Sequence, residues 1–343
     1  MLSSHTDAMP VVLGLLAAAT WGAADFAGGL ATRRAPTSRV VLIAHGVSFV
    51  LLAIISWRMP VSLPPWALFG GLLSGLAGGA ALMLFYEALS LGAMGLSAAI
   101  AGLLTAILPV ILAIRSQGAP APLQIAGFMV AALAIVLIAY APPTLSSASQ
   151  GASGQAEPPS RRALLFATLA GAGFGLQLVW LHATAAAGTT AQPLVSAAAA
   201  ASGSASANGM APTGSPFAPV VRALLLSRLG GVAIAFITQL ISRARYRERP
   251  LSTIMEPVTT EPVGRAWMSL PLLAAMAGLL DTAGNGFYML SSLGGRLDVA
   301  AVLSSLYPGA TIVLAAVFLR ESATRLQALG MGFALVAVAL IAM

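Results

Sequence analysis

The chain contains no cysteine and no lysine in 343 residues, and only 10 aspartate and glutamate residues. Without thiols there are no disulfides, zinc–thiolate sites or iron–sulfur clusters, and the redox compartment leaves no mark. The 3 histidines, His5, His45 and His182, stand too far apart in sequence to form a local metal motif, so no metal or other cofactor is expected. Charged residues make up 8% of the chain, against about 25% in a soluble domain. No interfacial cluster of acids and histidines suggests a membrane enzyme, and no G-x-x-x-x-G-K-[ST] loop suggests direct drive by ATP. All 17 basic residues are arginine, which sets the formal net charge at +7. They form neither a basic face nor an aromatic-interleaved patch, so the high isoelectric point implies no nucleic acid partner. They fall instead in short loops suited to phospholipid headgroups.

What the chain has in abundance is apolar length. Hydrophobic residues make up 58% of it, and mean hydropathy is +0.91. A bilayer core of about 30 Å takes about 20 residues of helix. Ten stretches meet that need, near 11–31, 38–57, 66–89, 93–113, 123–141, 163–183, 220–241, 269–291, 297–318 and 324–342. The segment Met1–Met9 has no arginine and the first stretch runs past a signal peptide's length, so a true first helix is expected there. The predicted fold class is an all-α integral membrane protein in a bilayer, multi-pass in the cell membrane.

The stretches fall into two groups of five. Residues 1–141 form the first unit, a Pro/Ser/Gly-rich linker covers 142–162, and 163–343 form the second, with an Ala/Ser/Gly-rich segment at 185–219 read as a flexible loop. LQIAGFMVAALAIVLIAY from Leu123 resembles LQALGMGFALVAVALIAM from Leu326, each closing its unit. LLTAILP ending at Pro109 pairs with VLSSLYP ending at Pro308, and TWGAADF from Thr20 with GFGLQLV from Gly173. Setting Arg39 against Arg222 also sets His45 against Arg228. A duplicated unit of five spans must enter the membrane from opposite sides, giving an inverted repeat with a site near midplane. Twelve arginines lie in loops on one side of this arrangement and four on the other. The positive-inside rule then puts both termini outside.

The motifs ATWGAADF, GLLDTAGNGFYMLSSLG and VAAVLSSLYPGATIVLAAVFLRESATRLQALGMGFALVAVALIA resemble the EamA-type families of the drug/metabolite transporter superfamily. Arg320-Glu321 followed by Gln327 and Gly330 fits the family pattern. The first unit departs from it, with Arg115 and no acid at the matching place. The resemblance implies ten helices, inverted repeats and cytoplasmic termini, the last against the arginine count. It also implies a small-molecule substrate from a range that includes amino acids, nucleotide sugars and drugs.

Charge inside a bilayer is costly and marks a protein interior or a watered cavity. Arg228 and Asp281 lie about 3 and about 2 Å of helix rise from the centres of their spans, which predicts an ion pair, either structural or on a transport path. Asp281, Asn285 and Tyr288 are spaced i, i+4, i+7 and share one face, a stripe predicted to line a cavity. Trp21 and Asp25 are i, i+4 neighbours, with Asp25 about 6 Å from its span's centre, a proton site or second counter-charge for Arg228. Gln177, Trp180 and Thr184 share a face of the sixth span. His45 reads as packing rather than as a relay. Pro109 and Pro308 predict paired kinks, with Ser304 and Ser305 beside the second. Gly71-Leu-Leu-Ser-Gly75 permits a tight helix contact, within the chain or in a homodimer.

Together these point to a secondary transporter that moves a small metabolite such as an amino acid or drug-like compound outward by alternating access, with proton coupling through Asp25 or Asp281. A lipid flippase or a non-transporting membrane partner are the alternatives.

Overall fold

The computed structural model describes residues 8–32, 34–59, 61–90, 94–139, 160–201, 216–247, 269–318 and 324–343. Residues 142–159 of the linker, and Arg320 and Glu321, lie outside them. Eleven helices follow one another: α1 (Ala8–Thr32), α2 (Thr37–Ser56), α3 (Pro65–Ser90), α4 (Met94–Gln117), α5 (Pro122–Ala139), α6 (Arg161–Ala201), α7 (Phe217–Arg247), α8 (Leu270–Gly294), α9 (Leu297–Ser304), α10 (Tyr307–Phe318) and α11 (Arg325–Ala342). The described residues contain no strand. Eight helical segments, with α9 and α10 counted as one, are long and apolar enough to cross a bilayer. The chain is thus an all-α, multi-pass membrane protein. The apolar part of α5, Pro122–Ile138, is shorter, and α8 is diluted by Asp281, Asn285 and its hydroxyl residues.

Two local departures from the sequence reading have simple causes. Helix α6 continues to Ala201, past the segment read as irregular from 185, because alanine is the strongest helix former; residues 202–215 lie outside the described set. The ninth stretch is two helices, broken at Ser305–Leu306. Pro308 lacks the amide hydrogen that would bond back across the break, and it sits in the first turn of α10, where that loss is tolerated. Ser304 and Ser305 donate to the carbonyls of Ala301 and Val302 at 3.1 and 2.8 Å. Pro109 produces no matching break, and α4 runs through it.

Lipid supplies no hydrophobic drive between helices, so association depends on close backbone approach at small residues. At Gly75 of α3 an added Cβ would meet the carbonyl of Ser227 on α7, and at Gly278 of α8 one would meet the carbonyl of Ala44 on α2. Gly71 faces Leu226 of α7, so the Gly71–Gly75 step is used inside the chain. Helix α3 packs on α6 and α7, and α8 packs on α1 and α2.

Helices α2 and α7 run antiparallel: Ser38 at the start of α2 donates to Gln239 near the end of α7 at 2.6 Å, and Arg222 near the start of α7 donates to the carbonyl of Met59 just past α2 at 3.1 Å. Helices α5 and α11 are antiparallel with reciprocal contacts. Gly127 faces Ala337 and Ile341, while Gly330 faces Ala134 and Ile138. Arg296, which precedes α9, ties one end of the bundle: it grips Asp298 in the first turn of that helix through two bonds of 2.7 and 3.0 Å and donates to the carbonyl of Gly118 at 2.9 Å. Gly118 has φ +85°, a left-handed turn between α4 and α5 that favours glycine.

Candidate functional site

The two glycine crossings press α3 onto α7 and α8 onto α2 near mid-length, and there the polar side chains of α2, α7 and α8 meet. Arg228 lies about 2 Å of rise from the middle of the Phe217–Ser242 span, and Asp281 about 1.5 Å from the middle of Leu270–Gly294. Arg228 Nη1 donates to Asp281 Oδ2 at 2.6 Å, the pair expected from sequence. The same Nη1 lies 3.4 Å from His45 Nε2. A guanidinium only donates, so Nε2 accepts and the ring proton sits on Nδ1. The two residues that the Arg39–Arg222 register sets against each other therefore touch where α2 crosses α7.

The network continues outward from Asp281. Asn285 donates to the Asp281 carbonyl at 2.8 Å and to Oδ1 at 3.2 Å. Gln177 Nε2 reaches Asn285 Oδ1 at 3.5 Å, and its amide occupies the space a Cβ would take at Gly78. One chain of polar contacts thus links α2, α7, α8 and α6. Arg228 is wholly buried at 0% exposure, and its Nε and Nη2 have no partner.

Two cavities adjoin this network. The smaller, about 20 Å³, is bordered by Asp25, His45, Tyr86 and Asp281 among apolar residues. The larger, about 50 Å³, is bordered by Trp21, Asp25, Thr105, Phe174, Gln177, Asp281, Asn285 and Tyr307, with Leu82 and Leu178. A water needs about 10–15 Å³ on this measure. The smaller space therefore holds about one water and the larger a few, too little for a metabolite in this conformation. Asp25, Asp281 and Leu82 border both cavities.

Of the residues singled out from sequence, Trp21, Asp25, Gln177, Asp281 and Asn285 line the larger cavity. Arg228 stands behind Asp281. Asp25 makes no ion pair with Arg228; its side chain faces the cavities instead. Tyr288 is 0% exposed and packs its ring 6.0 Å from that of Trp21, so the predicted stripe ends at Asn285. Trp180 lies over Gly70 of α3, and Thr184 donates to the carbonyl of Ala67 at 3.3 Å, which turns both away from the site. Helix α6 meets α8 again beyond Gln177, where His182 Nδ1 and Ser292 Oγ lie 2.9 Å apart, but at that level Trp180 and Thr184 are turned to α3.

Thr105, Phe174 and Tyr307 escaped the sequence reading, as did Tyr86. A signal existed for three of them: Thr105 and Tyr307 belong to the similar segments that end at Pro109 and Pro308, and Phe174 falls opposite Trp21 when TWGAADF is set against GFGLQLV. Tyr307 stands edge-on to Trp21 with centroids 6.4 Å apart.

No family model and no curated protein matches the chain. A protein of known crystal structure resembles it over 97% of this chain and 96% of its own, with a TM-score of 0.61 and 16% sequence identity. At that identity the likeness is one of fold alone.

Proposed function

We propose that this protein is a secondary transporter of the EamA type, built from ten spans as two inverted five-helix repeats, which carries a small metabolite outward by alternating access. The observation that carries this reading is the polar network of His45, Arg228, Asp281, Asn285 and Gln177 beside small cavities at mid-bundle, where helices of both units meet. A cluster of that kind is costly in a membrane interior and is characteristic of a substrate or ion path.

The contact pattern supports the repeat. Exchanging α1 with α6, α2 with α7, α3 with α8, α4 with α9 and α10, and α5 with α11 turns the major packing pairs into one another. Gly127 on Ile341 and Ala337 maps onto Gly330 on Ile138 and Ala134, the self-complementary contact of a two-fold. Equivalent helices related by an axis along the membrane normal would run parallel. Helices α2 and α7, and α5 and α11, run antiparallel, which favours an axis in the membrane plane and opposite insertion of the two units. Cavities this small fit a conformation in which the units must rock apart to admit a substrate.

The absence of native cysteine makes the test direct. Thr105→Cys places a lone thiol on the larger cavity of purified protein in liposomes of fixed orientation. Labelling by a membrane-impermeant maleimide from each side, combined with flux of pooled metabolites, reads both access and transport. Labelling from both sides, with substrate-dependent flux that is reduced in an Asp281→Asn protein that is less stable but still folded, is the expected result. Labelling from one side only, without flux of any pool, would remove the transporter reading.

A further inference from the structure

The wall of the larger cavity selects a kind of substrate. Asp25 borders both cavities, and among the described residues its side chain has neither a hydrogen bond nor an ion pair. The titratable groups bordering the same two cavities come from four helices, Asp281 of α8, His45 of α2, Tyr86 of α3 and Tyr307 of α10, with Arg228 of α7 behind Asp281. The single guanidinium among them is committed to Asp281 and His45. Two carboxylates and one guanidinium leave one negative charge uncompensated, and an unpaired carboxylate inside a membrane protein must be neutralised by a proton or a cation.

The rest of the wall is suited to an organic cation. The rings of Trp21, Phe174 and Tyr307 border the same space as Asp25, and aromatic rings attract ammonium groups. A substrate carrying a carboxylate would meet the Asp25 and Asp281 carboxylates and no exposed cation, because Arg228 is wholly buried behind Asp281, and Gln177 and Asn285 each turn an amide hydrogen to a protein acceptor. We infer that the substrate is a small organic ammonium ion, held by the Asp25 carboxylate beside Trp21, Phe174 and Tyr307, and exchanged for a proton on that same carboxylate. This rests on the transporter reading above. No covalent bond to substrate forms. The Asp25 proton passes to water in the smaller cavity as the ammonium arrives, and the carboxylate takes a proton back when the ammonium leaves.

The test is proton release on binding, read with a pH indicator in weakly buffered detergent solution. Choline and ethanolamine serve as cationic probes, alanine as the zwitterion, lactate as the anion and sodium as the inorganic cation. The inference expects choline and ethanolamine to bind with release of up to one proton. Their affinity should rise with pH by at most about tenfold per unit, the limit for one competing proton. Asp25→Asn should abolish the release while eluting as wild type, and Trp21→Leu should weaken choline by about tenfold, with Trp21→Phe between. Equal binding of alanine or lactate, binding of sodium alone, or proton release that survives in Asp25→Asn would each overturn it. Amine-linked proton release without flux in liposomes would leave the cation site standing and remove transport; flux of a non-cationic metabolite would do the reverse.

Discussion

Helices α3 and α8 occupy corresponding places, one between α6 and α7 and the other between α1 and α2, yet only α8 carries the chemistry. The crossing glycines set the register. Three, seven and ten residues beyond Gly75 come Gly78, Leu82 and Phe85; the same steps beyond Gly278 reach Asp281, Asn285 and Tyr288. Where α8 offers a carboxylate, α3 offers a vacancy, which the Gln177 amide fills from α6. The crossing of α2 with α7 shows the same bias, with His45 set against Arg228. Packing positions are matched between the two regions while polar positions are not. Close backbone approach constrains both crossings alike, whereas a central cavity needs each group only once.

The largest test of this contrast is the buried pair. Arg228→Leu or Asp281→Asn alone should lower stability by about 3–5 kcal/mol, because each strands a charge, and Arg228→Leu combined with Asp281→Leu should recover most of the loss. His45→Leu, at the place corresponding to Arg228, should cost only about 1 kcal/mol. Detergent-titrated unfolding of the purified protein measures all four. Equal costs at His45 and Arg228 would erase the asymmetry.

The crossings themselves should behave alike. Gly75→Ala and Gly278→Ala should each cost about 2–3 kcal/mol by forcing two backbones apart, while Gly46→Ala, which meets nothing within 4 Å, should be neutral or slightly stabilising. Thermal melts in detergent that separate the two crossing variants widely would show that the crossings are not equivalent.

A smaller effect is expected at Tyr288, whose hydroxyl is buried without a partner. Tyr288→Phe makes α8 resemble α3, which has Phe85 there, and should raise stability by about 1 kcal/mol. Lost flux in a stable Tyr288→Phe protein would assign the hydroxyl to the substrate path instead.

The smallest contrast lies at the starts of α5 and α11. Thr324 accepts from the Gln327 amide at 3.2 Å, and Gln327 Oε1 accepts from the Thr324 amide at 2.9 Å, a complete capping box. At α5 only the return bond exists, from the Ala121 amide to Gln124 at 3.1 Å. Thr324→Ala should therefore cost about 1 kcal/mol, and Ala121→Thr should gain about 0.5–1 kcal/mol, in the same melts.

Much of this molecule was written in its sequence. The lengths of the apolar runs fixed most helix bounds to within a few residues, except where alanines carried α6 to Ala201, where α7 ran six residues past its apolar stretch to Arg247, and where a proline near two serines parted α9 from α10. A lone arginine and a lone aspartate at mid-span predicted their own pairing, because neither charge can stay unpartnered at that depth. The Arg39–Arg222 register even set His45 against Arg228, residues that prove to touch. Helical spacing also placed Asp281, Asn285 and Tyr288 on one face. What spacing could not say is which part of that face meets a cavity and which meets a neighbour. Tertiary packing decided that Tyr288 lies against Trp21, that Trp180 turns to Gly70, and that Thr105, Phe174 and Tyr307 complete the wall around Asp25. Periodicity belongs to one helix at a time, whereas a cavity is what several helices leave unfilled once their small residues have let them close.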